Sequence, residues 1–197
     1  KNRKRITDYV ECREGEKWHT FTREHNHSLY NVNKIIVPMT ARDTIATYVR
    51  GTNGLYMDNA NVWFVCVDRG SDVLMKAMAA IINSTVFSVL GKLKANSQAN
   101  GYYKFNKQFL APIPFPSNTL VASPAKQRKL SALVEEIGKI EHKYLQATAN
   151  RQELFAQRLG SLWEELDSLV EDLYGLDCDE RVAVRKIGRS VDRIKLL

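Results

Sequence analysis

Residues 92–107, KLKANSQANGYYKFNK, combine four lysines with amide side chains and two adjacent tyrosines, and they contain no acidic residue. Lysine ammonium groups bind phosphate oxygens, whereas an Asn or Gln side chain offers a paired donor and acceptor to the edge of adenine. This composition predicts contact with nucleic acid; the alternative is a solvated polar loop, because loops generally lie at the surface. The candidate DNA-binding residues of this segment are Lys92, Lys94, Asn96, Gln98, Asn100, Tyr102, Tyr103, Lys104 and Lys107.

An apolar helix is predicted immediately before this segment. Apolar residues recur near the 3.6-residue helical period over residues 73–90, Ser71 or Asp72 can cap the first turn, and Gly91 is expected to end the helix. Polar residues such as Lys76 interrupt the apolar run, so we expect a core helix and no membrane span.

Short strands are predicted on both sides of that helix. Residues 34–39 and 45–49 are rich in β-branched side chains, and residues 55–57 suggest a further strand. Residues 62–67, VWFVCV, are continuously apolar, which predicts a central strand buried on both faces. Residues 110–116, LAPIPFP, place prolines at alternate positions and therefore predict an edge strand or an extended exit.

Two arginines occupy predicted loops between these strands. Arg42 and Arg50 could each form a bidentate hydrogen bond with guanine or a phosphate contact, and both are candidate DNA-binding residues. The alternative for each is solvation or pairing with a nearby acid such as Asp43.

Residues 117–123 are predicted to form a linker, and the residues that follow are predicted to form helices. Ser123 and Pro124 suit the N-terminus of a helix, and Gly175 suits a helix C-terminus. Two sets of apolar residues at alternating three- and four-residue steps predict an antiparallel helical hairpin turning near Ala149 and Asn150. The sets are Leu130, Leu133, Ile137, Ile140 and Tyr144, and Phe155, Leu159, Leu162, Leu166, Leu169 and Leu173.

A final helix should begin at a capping box formed by Asp177 and Glu180. It carries a basic stripe at four-residue steps, and residues 164–180 just before it contain eight acids and no base. We expect the stripe to pair with those acids, and the alternative is contact with the DNA backbone. The stripe consists of Arg181, Arg185, Arg189 and Arg193.

The net charge of +7 is distributed unevenly. Residues 1–116 contain 16 basic and 9 acidic side chains, whereas residues 117–197 contain 13 of each. A basic excess favours a polyanionic partner such as nucleic acid, the alternative being a solvated basic surface. We therefore predict an α+β fold with a basic target-recognition region, residues 1–116, followed by a helical hairpin and C-terminal helix, residues 117–197.

The cysteines and histidines predict no metal centre and no disulfide framework. Cys12, Cys66 and Cys178 are odd in number and widely spaced, which fits a reducing cytoplasm. Three histidines cluster at positions 19, 25 and 27, but no cysteine or carboxylate completes a familiar ligand spacing.

Several motifs together resemble one protein family. The pair Asn83-Ser84 late in an apolar helix is followed by a tyrosine-containing polar segment and by Pro-Ile-Pro at 112–114. Trp18-x-x-Phe-x-Arg precedes the first strand, and LDSLV at 166–170 is followed by LYGL at 173–176, with Leu where Ile is usual. These motifs resemble the TaqI-like C-terminal specificity domain of adenine-N6 DNA methyltransferases and restriction-modification enzymes.

The resemblance implies sequence-specific recognition of double-stranded DNA for a restriction-modification or related phage-defence methyltransferase. The parent enzyme would use S-adenosylmethionine, and its methyltransferase domain would lie upstream in the same chain. The 197 residues contain no Pro-Pro pair and so lack the Asn-Pro-Pro-Tyr motif that holds the target adenine in this family. We therefore expect no catalytic residue, cofactor or methylation activity in this stretch alone, and whether the parent also carries an endonuclease stays open.

Two alternatives from other classes are a helical subunit-assembly module with a merely structural β region, and the specificity subunit of a type I restriction-modification system. An Asn-Pro-Pro-Tyr motif on the amino-terminal side of Lys1 would favour the methyltransferase interpretation.

Overall fold

The computed structural model describes residues 31–51, 61–68 and 70–188. The Trp-x-x-Phe-x-Arg motif, the three clustered histidines, the strand predicted at 55–57, and Arg189 and Arg193 lie outside the described residues. The described residues form an α+β fold, as predicted, with short antiparallel sheets followed by a helical region.

The first sheet has the strand order β3-β1-β4, with β1 at Lys34–Pro38, β3 at Thr47–Val49 and β4 at Val62–Val65. All pairings are antiparallel. The central strand is β1, whose Ile35 and Val37 are fully buried.

The prediction for residues 62–67 is wrong in the length of the strand and in its burial. In the described sheet β4 is an edge strand of four residues, each half-buried. Its apolar run resembles a central strand because Trp63 and Val65 pack against the core even though the strand has a described neighbour on one side only.

A second small sheet has the order β2-β6-β5, with β2 at Thr40–Ala41, β5 at Asn96–Ser97 and β6 at Tyr103–Lys104. Both pairings are antiparallel. The backbone amide of Phe105 donates to the carbonyl of Met39 (2.7 Å), which joins the chain after β6 to the segment between β1 and β2.

The apolar run expected to form one helix forms two. Helix α1 spans Asp72–Ile82, helix α2 spans Thr85–Lys94, and their axes differ by 60°. The break occurs because the hydroxyl of Ser84 accepts from the amide of Phe87 (3.2 Å) and so starts a new helix. Among the described residues no single helix is long and apolar enough to cross a membrane, and this bent pair meets that criterion only when joined.

Gly91 lies inside α2, so its predicted role as a helix end is wrong. A Cβ atom there would approach the side chains of Thr44 at 3.1 Å and Phe105 at 3.3 Å. Glycine therefore allows α2 to pack closely against these neighbours, which a larger residue would push aside.

Of the two forms predicted for residues 110–116, the edge strand is absent among the described strands. Helix α3 spans Lys107–Leu110, and in the turn after it the amide of Ile113 donates to the carbonyl of Leu110 (3.1 Å). Prolines lack the amide that a strand ladder needs, so the segment leaves as an irregular exit instead. Helix α4 spans Ser117–Val121, so the linker predicted at 117–123 is wrong over most of its length.

The helical prediction is confirmed. Helix α5 spans Pro124–Gln146, α6 spans Ala149–Tyr174 and α7 spans Cys178–Gly188. Ion pairs Lys129–Glu165 and Glu136–Arg158 show that α5 and α6 run antiparallel. The turn lies at Ala147 and Thr148, slightly earlier than expected.

The predicted helix ends are also confirmed. Gly175 adopts the left-handed conformation (φ 70°) that closes α6. Asp177 and Glu180 form a reciprocal capping box at the start of α7, with both amide-to-carboxylate distances 2.9 Å.

One continuous core includes residues from both predicted regions. It joins β1 and α1 to the seam of α5 and α6, where Leu130, Leu159 and Leu166 are almost fully buried. The boundary at residue 116 stays a prediction, because the buried side chains on its two sides belong to the same cluster.

Replacing Leu166 by Asp is expected to lower the free energy of unfolding by about 4 kcal/mol, because a fully buried leucine is lost and a carboxyl group is buried in the seam. Urea unfolding followed by circular dichroism measures this. Leu154→Asp is the matched control, since Leu154 lies on the same helix with 65% of its surface exposed. Equal unfolding midpoints for the two variants would contradict the assignment of the seam.

Candidate nucleic-acid interface

The middle of the segment predicted to contact DNA forms a β-hairpin, residues 96–104, whereas Lys92 and Lys94 lie at the end of α2 and Lys107 begins α3. Strands β5 and β6 pair in register, with Asn96 opposite Lys104 and Ser97 opposite Tyr103. The amide of Gln98 donates to the carbonyl of Tyr102 (2.7 Å) and closes the loop. We call these residues the β5–β6 hairpin.

The tip of the hairpin depends on its Asn-Gly dipeptide. Asn100 and Gly101 both have positive φ values, 59° and 75°. Asparagine and glycine are the residues that adopt this conformation most readily, which is why they direct tight hairpin turns. Every residue from Asn96 to Tyr102 is exposed, so the tip projects into solvent.

The pleat of the small sheet separates its two faces. Thr40, Lys104 and Asn96 are directly opposite one another across the three strands, and all three are exposed. Ala41 and Tyr103 occupy the alternate positions and face the core, where Tyr103 stacks on Phe105 with 6.0 Å between ring centroids. The sheet therefore presents a polar row on its solvent face.

The two tyrosines of the hairpin divide as expected. Tyr103 packs inward, whereas Tyr102 is exposed. The guanidinium carbon of Arg42 lies 5.4 Å from the centroid of the Tyr102 ring, a cation–π contact that places the Arg42 side chain beside the hairpin tip. The structure thus brings Arg42 together with the hairpin residues.

Lys92 has a different environment from the other lysines. Its ammonium group lies 2.6 Å from the Oδ1 atom of Asp43, and both side chains are about nine-tenths buried. The hydroxyl of Ser88 donates to the same oxygen at 2.6 Å, and Lys92 also lies over the ring of Tyr103. Lys92 therefore joins α2 to Asp43 and to Tyr103 at the base of the hairpin. These contacts hold the candidate interface in place.

Asn83 fixes the extended segment that carries Asp43. Its side-chain oxygen accepts from the amide of Ala46 (2.8 Å), and its side-chain nitrogen donates to the carbonyl of the same residue (2.7 Å). The hydroxyl of Thr44 donates to the carbonyl of Ile82 at 2.6 Å. Residues at the break between α1 and α2 thereby hold residues 43–46 through hydrogen bonds of the kind that a neighbouring β-strand would otherwise provide.

The motifs that carry the family resemblance contact one another. The carboxylate of Asp167 accepts from the amide and the hydroxyl of Thr85, at 2.8 and 2.6 Å, so the LDSLV motif caps the helix that begins after Asn83-Ser84. The hydroxyl of Tyr174 donates to the carbonyl of Pro114 at 2.9 Å, so the LYGL motif meets Pro-Ile-Pro. Burial raises the pKa of the Tyr174 hydroxyl above its ordinary value.

Arg50 lies apart from the small sheet, at the end of β3. Its guanidinium group pairs with Asp72 at 2.6 Å, and Tyr48 donates to the same carboxylate at 2.7 Å. These two contacts hold the pKa of Asp72 below its ordinary value. The acid that pairs with Arg50 is thus Asp72, and Asp43, suggested from the sequence, pairs with Lys92 instead.

The basic stripe of α7 pairs with acids, as predicted for its two described members. Arg185 forms a bidentate contact with Glu171 at 2.8 and 2.7 Å, and Arg181 lies 2.8 Å from Asp172. Glu171 is fully buried, so these arginines attach α7 to α6. The hydrogen bond with Glu171 raises the pKa of Arg185.

The remaining candidates are all exposed at or near the hairpin: Lys94, Asn96, Gln98, Asn100, Lys104 and Lys107. Two exposed neighbours were not predicted from the sequence. Thr40 joins the polar row through its pairing with Lys104, and Leu93 precedes Lys94 with 71% of its surface exposed. A β-strand pairing rule could have found Thr40 only once the register of β2 with β6 was known.

Within the described ranges, no group of three or more His, Cys, Asp or Glu side chains is placed to hold a metal ion. No protein-family model matches the chain, and no curated protein matches it significantly. Function is therefore inferred from the motifs of this chain and from the geometry of the interface.

Replacing Lys92 by Met should lower the free energy of unfolding by about 3 kcal/mol, because Asp43 would remain buried without its counter-charge. Lys94→Met is the matched control on the exposed side of the same helix and should change stability by less than about 0.5 kcal/mol. Chemical denaturation measures both. Similar losses in the two variants would show that the Asp43–Lys92 pair does not hold the interface.

Proposed function

We propose that this chain recognises a specific sequence in double-stranded DNA through the β5–β6 hairpin. The single observation that supports this most strongly is the hairpin itself. It exposes lysine and amide side chains, lies in a segment without any acid, and has the Arg42–Tyr102 contact beside its tip.

The shape of the hairpin suits the major groove of B-form DNA. The major groove admits a two-stranded β-ribbon, and each base pair presents a distinct donor and acceptor pattern there. Lys94, Lys104 and Lys107 would contact phosphates and set the register of the protein on DNA. Asn96, Gln98 and Asn100 would then reach base edges, with adenine as the natural partner of an amide side chain.

The motif contacts support a role within an adenine-N6 methyltransferase of the restriction-modification or phage-defence type. Catalysis and binding of S-adenosylmethionine would belong to an upstream domain of the parent chain, acting on DNA in the cytoplasm. In this role the chain contributes binding energy and discrimination between sequences, and it takes no part in methyl transfer.

The affinity of the 197-residue chain for a DNA duplex should fall steeply with salt, since each phosphate contact contributes about −0.9 to the log–log slope in B-form DNA. Lys104→Ala should make the slope shallower by about one such contact. Fluorescence anisotropy titrations at about 50–300 mM salt give the log–log slope of affinity against salt for the wild type and for Lys104→Ala. Lys143→Ala on α5 is the control and should leave the slope unchanged; a salt-independent affinity would refute DNA binding by this surface.

Amide substitutions should act on specificity. Asn96→Ala or Gln98→Ala is expected to reduce discrimination at one base position by about 1–3 kcal/mol, because a bidentate contact to a base edge is lost. Lys94→Ala should weaken all sequences alike, since phosphates carry no sequence information. Selection of bound duplexes from a randomised pool measures the two effects. An unchanged preference in both amide variants would transfer base recognition to Arg42 and Arg50.

One observation favours a second function, that of a helical assembly module. The far end of the α5–α6 hairpin exposes Leu145 and Leu154, at 62% and 65% of their surfaces. A partner subunit could cover these side chains, as the type I specificity-subunit interpretation also requires. Replacing both by Glu would then abolish assembly measured by sedimentation while leaving DNA binding intact.

A further inference from the structure

A cavity of about 300 Å³ lies between the extended segment 43–48 and the helices α1, α2, α5, α6 and α7. This volume is within the range of small-molecule pockets in proteins. The face of α5 that borders it presents Val134, Ile137, Gly138 and Glu141, which share one side of the helix because the last three lie three, four and seven residues after Val134. Gly138 has no side chain to fill the space in front of this face.

Aromatic and ionisable side chains complete the lining. Tyr48 comes from the extended segment and Trp163 from α6. The ionisable neighbours are Asp43 and Tyr48 on the extended segment, Lys76 on α1, and Glu135 and Glu141 on α5.

All but one of the charges in this lining are balanced by described partners. Lys76 forms an ion pair with Glu135 and lies 5.6 Å above the ring of Tyr48. Asp43 is paired with Lys92. Glu141 has no hydrogen-bond or ion-pair partner among the residues that the structure describes.

Burial of Glu141 has a measurable consequence. Desolvation raises the pKa of its carboxyl group to about 7, because burial disfavours the charged form. A carboxylate removed from water is unfavourable unless a cation or donor approaches it. A cation entering the cavity would supply a positive charge beside the Glu141 carboxylate. Aromatic rings also attract organic cations through their faces. The position of Lys76 over Tyr48 shows this attraction within the same cavity.

We propose that this cavity binds a small organic ammonium ion, with Glu141 as its counter-ion and the rings of Tyr48 and Trp163 as its walls. The site is independent of the DNA-recognition proposal, since neither Glu141 nor Trp163 contributes to the β5–β6 hairpin. Quaternary and protonated amines with an apolar body of a few carbon atoms have the matching chemistry.

Benzyltrimethylammonium is a suitable probe because its charge does not depend on pH. It should bind the 197-residue chain saturably at pH 8, as measured by isothermal titration calorimetry, and shift one of the three tryptophan indole signals in NMR spectra. Affinity should fall as pH decreases through about 7, since Glu141 then becomes protonated and neutral.

Glu141→Gln should weaken binding of benzyltrimethylammonium at least tenfold and remove its pH dependence. Glu136→Gln is the matched control on the same helix, because Glu136 pairs with Arg158 and does not line the cavity. Its affinity should equal that of the wild type, and circular dichroism should show both variants folded. Absence of saturable binding to the wild type, or equal affinity in the wild type and Glu141→Gln, would overturn the proposal.

Discussion

The paired hydrogen bonds between the Asn83 side chain and the backbone of Ala46 fix the segment 43–46, which supports the candidate interface, against the helical core. They occur where the helical backbone is interrupted, so the amide group of Asn83 can substitute for a neighbouring strand. Fixing Ala46 also fixes Asp43 three residues earlier, and Asp43 pairs with Lys92 at the base of the hairpin. A helix break thus determines the position of a DNA-binding candidate that lies more than ten residues further along the chain.

Buried charges at two places specify how elements fit together. Asp43 with Lys92 fixes the hairpin on α2, and Glu171 with Arg185 fixes α7 on α6. A buried ion pair adds little net stability over an apolar pair, but loss of one partner is strongly destabilising. Such pairs therefore disfavour alternative arrangements of the elements that they join, which is useful where a recognition surface must keep its geometry.

Local signals in the sequence predicted the helical region well. The seam, the capping box of Asp177 and Glu180, and the left-handed Gly175 each depend on residues within a few positions of one another. The break at Ser84 was missed because the apolar period continues across it, and only the contact with Asp167, 82 residues away, completes the new helix end. The inward position of Lys92 was equally hidden, since nothing in its neighbours along the chain distinguishes it from Lys94.

The motifs that carry the family resemblance form contacts of the scaffold, and they do not include the exposed residues of the hairpin. Asn83, Asp167 and Tyr174 all bond to backbone or to helix ends, so their side chains build the scaffold. The exposed residues of the hairpin belong to none of these bonds, and apart from the turn at Asn100 and Gly101 the sheet accepts other side chains there without disturbing the core. In the function proposed above, base choice would depend on Asn96, Gln98 and Asn100, and on their spacing along the hairpin, because these side chains can change without altering the scaffold.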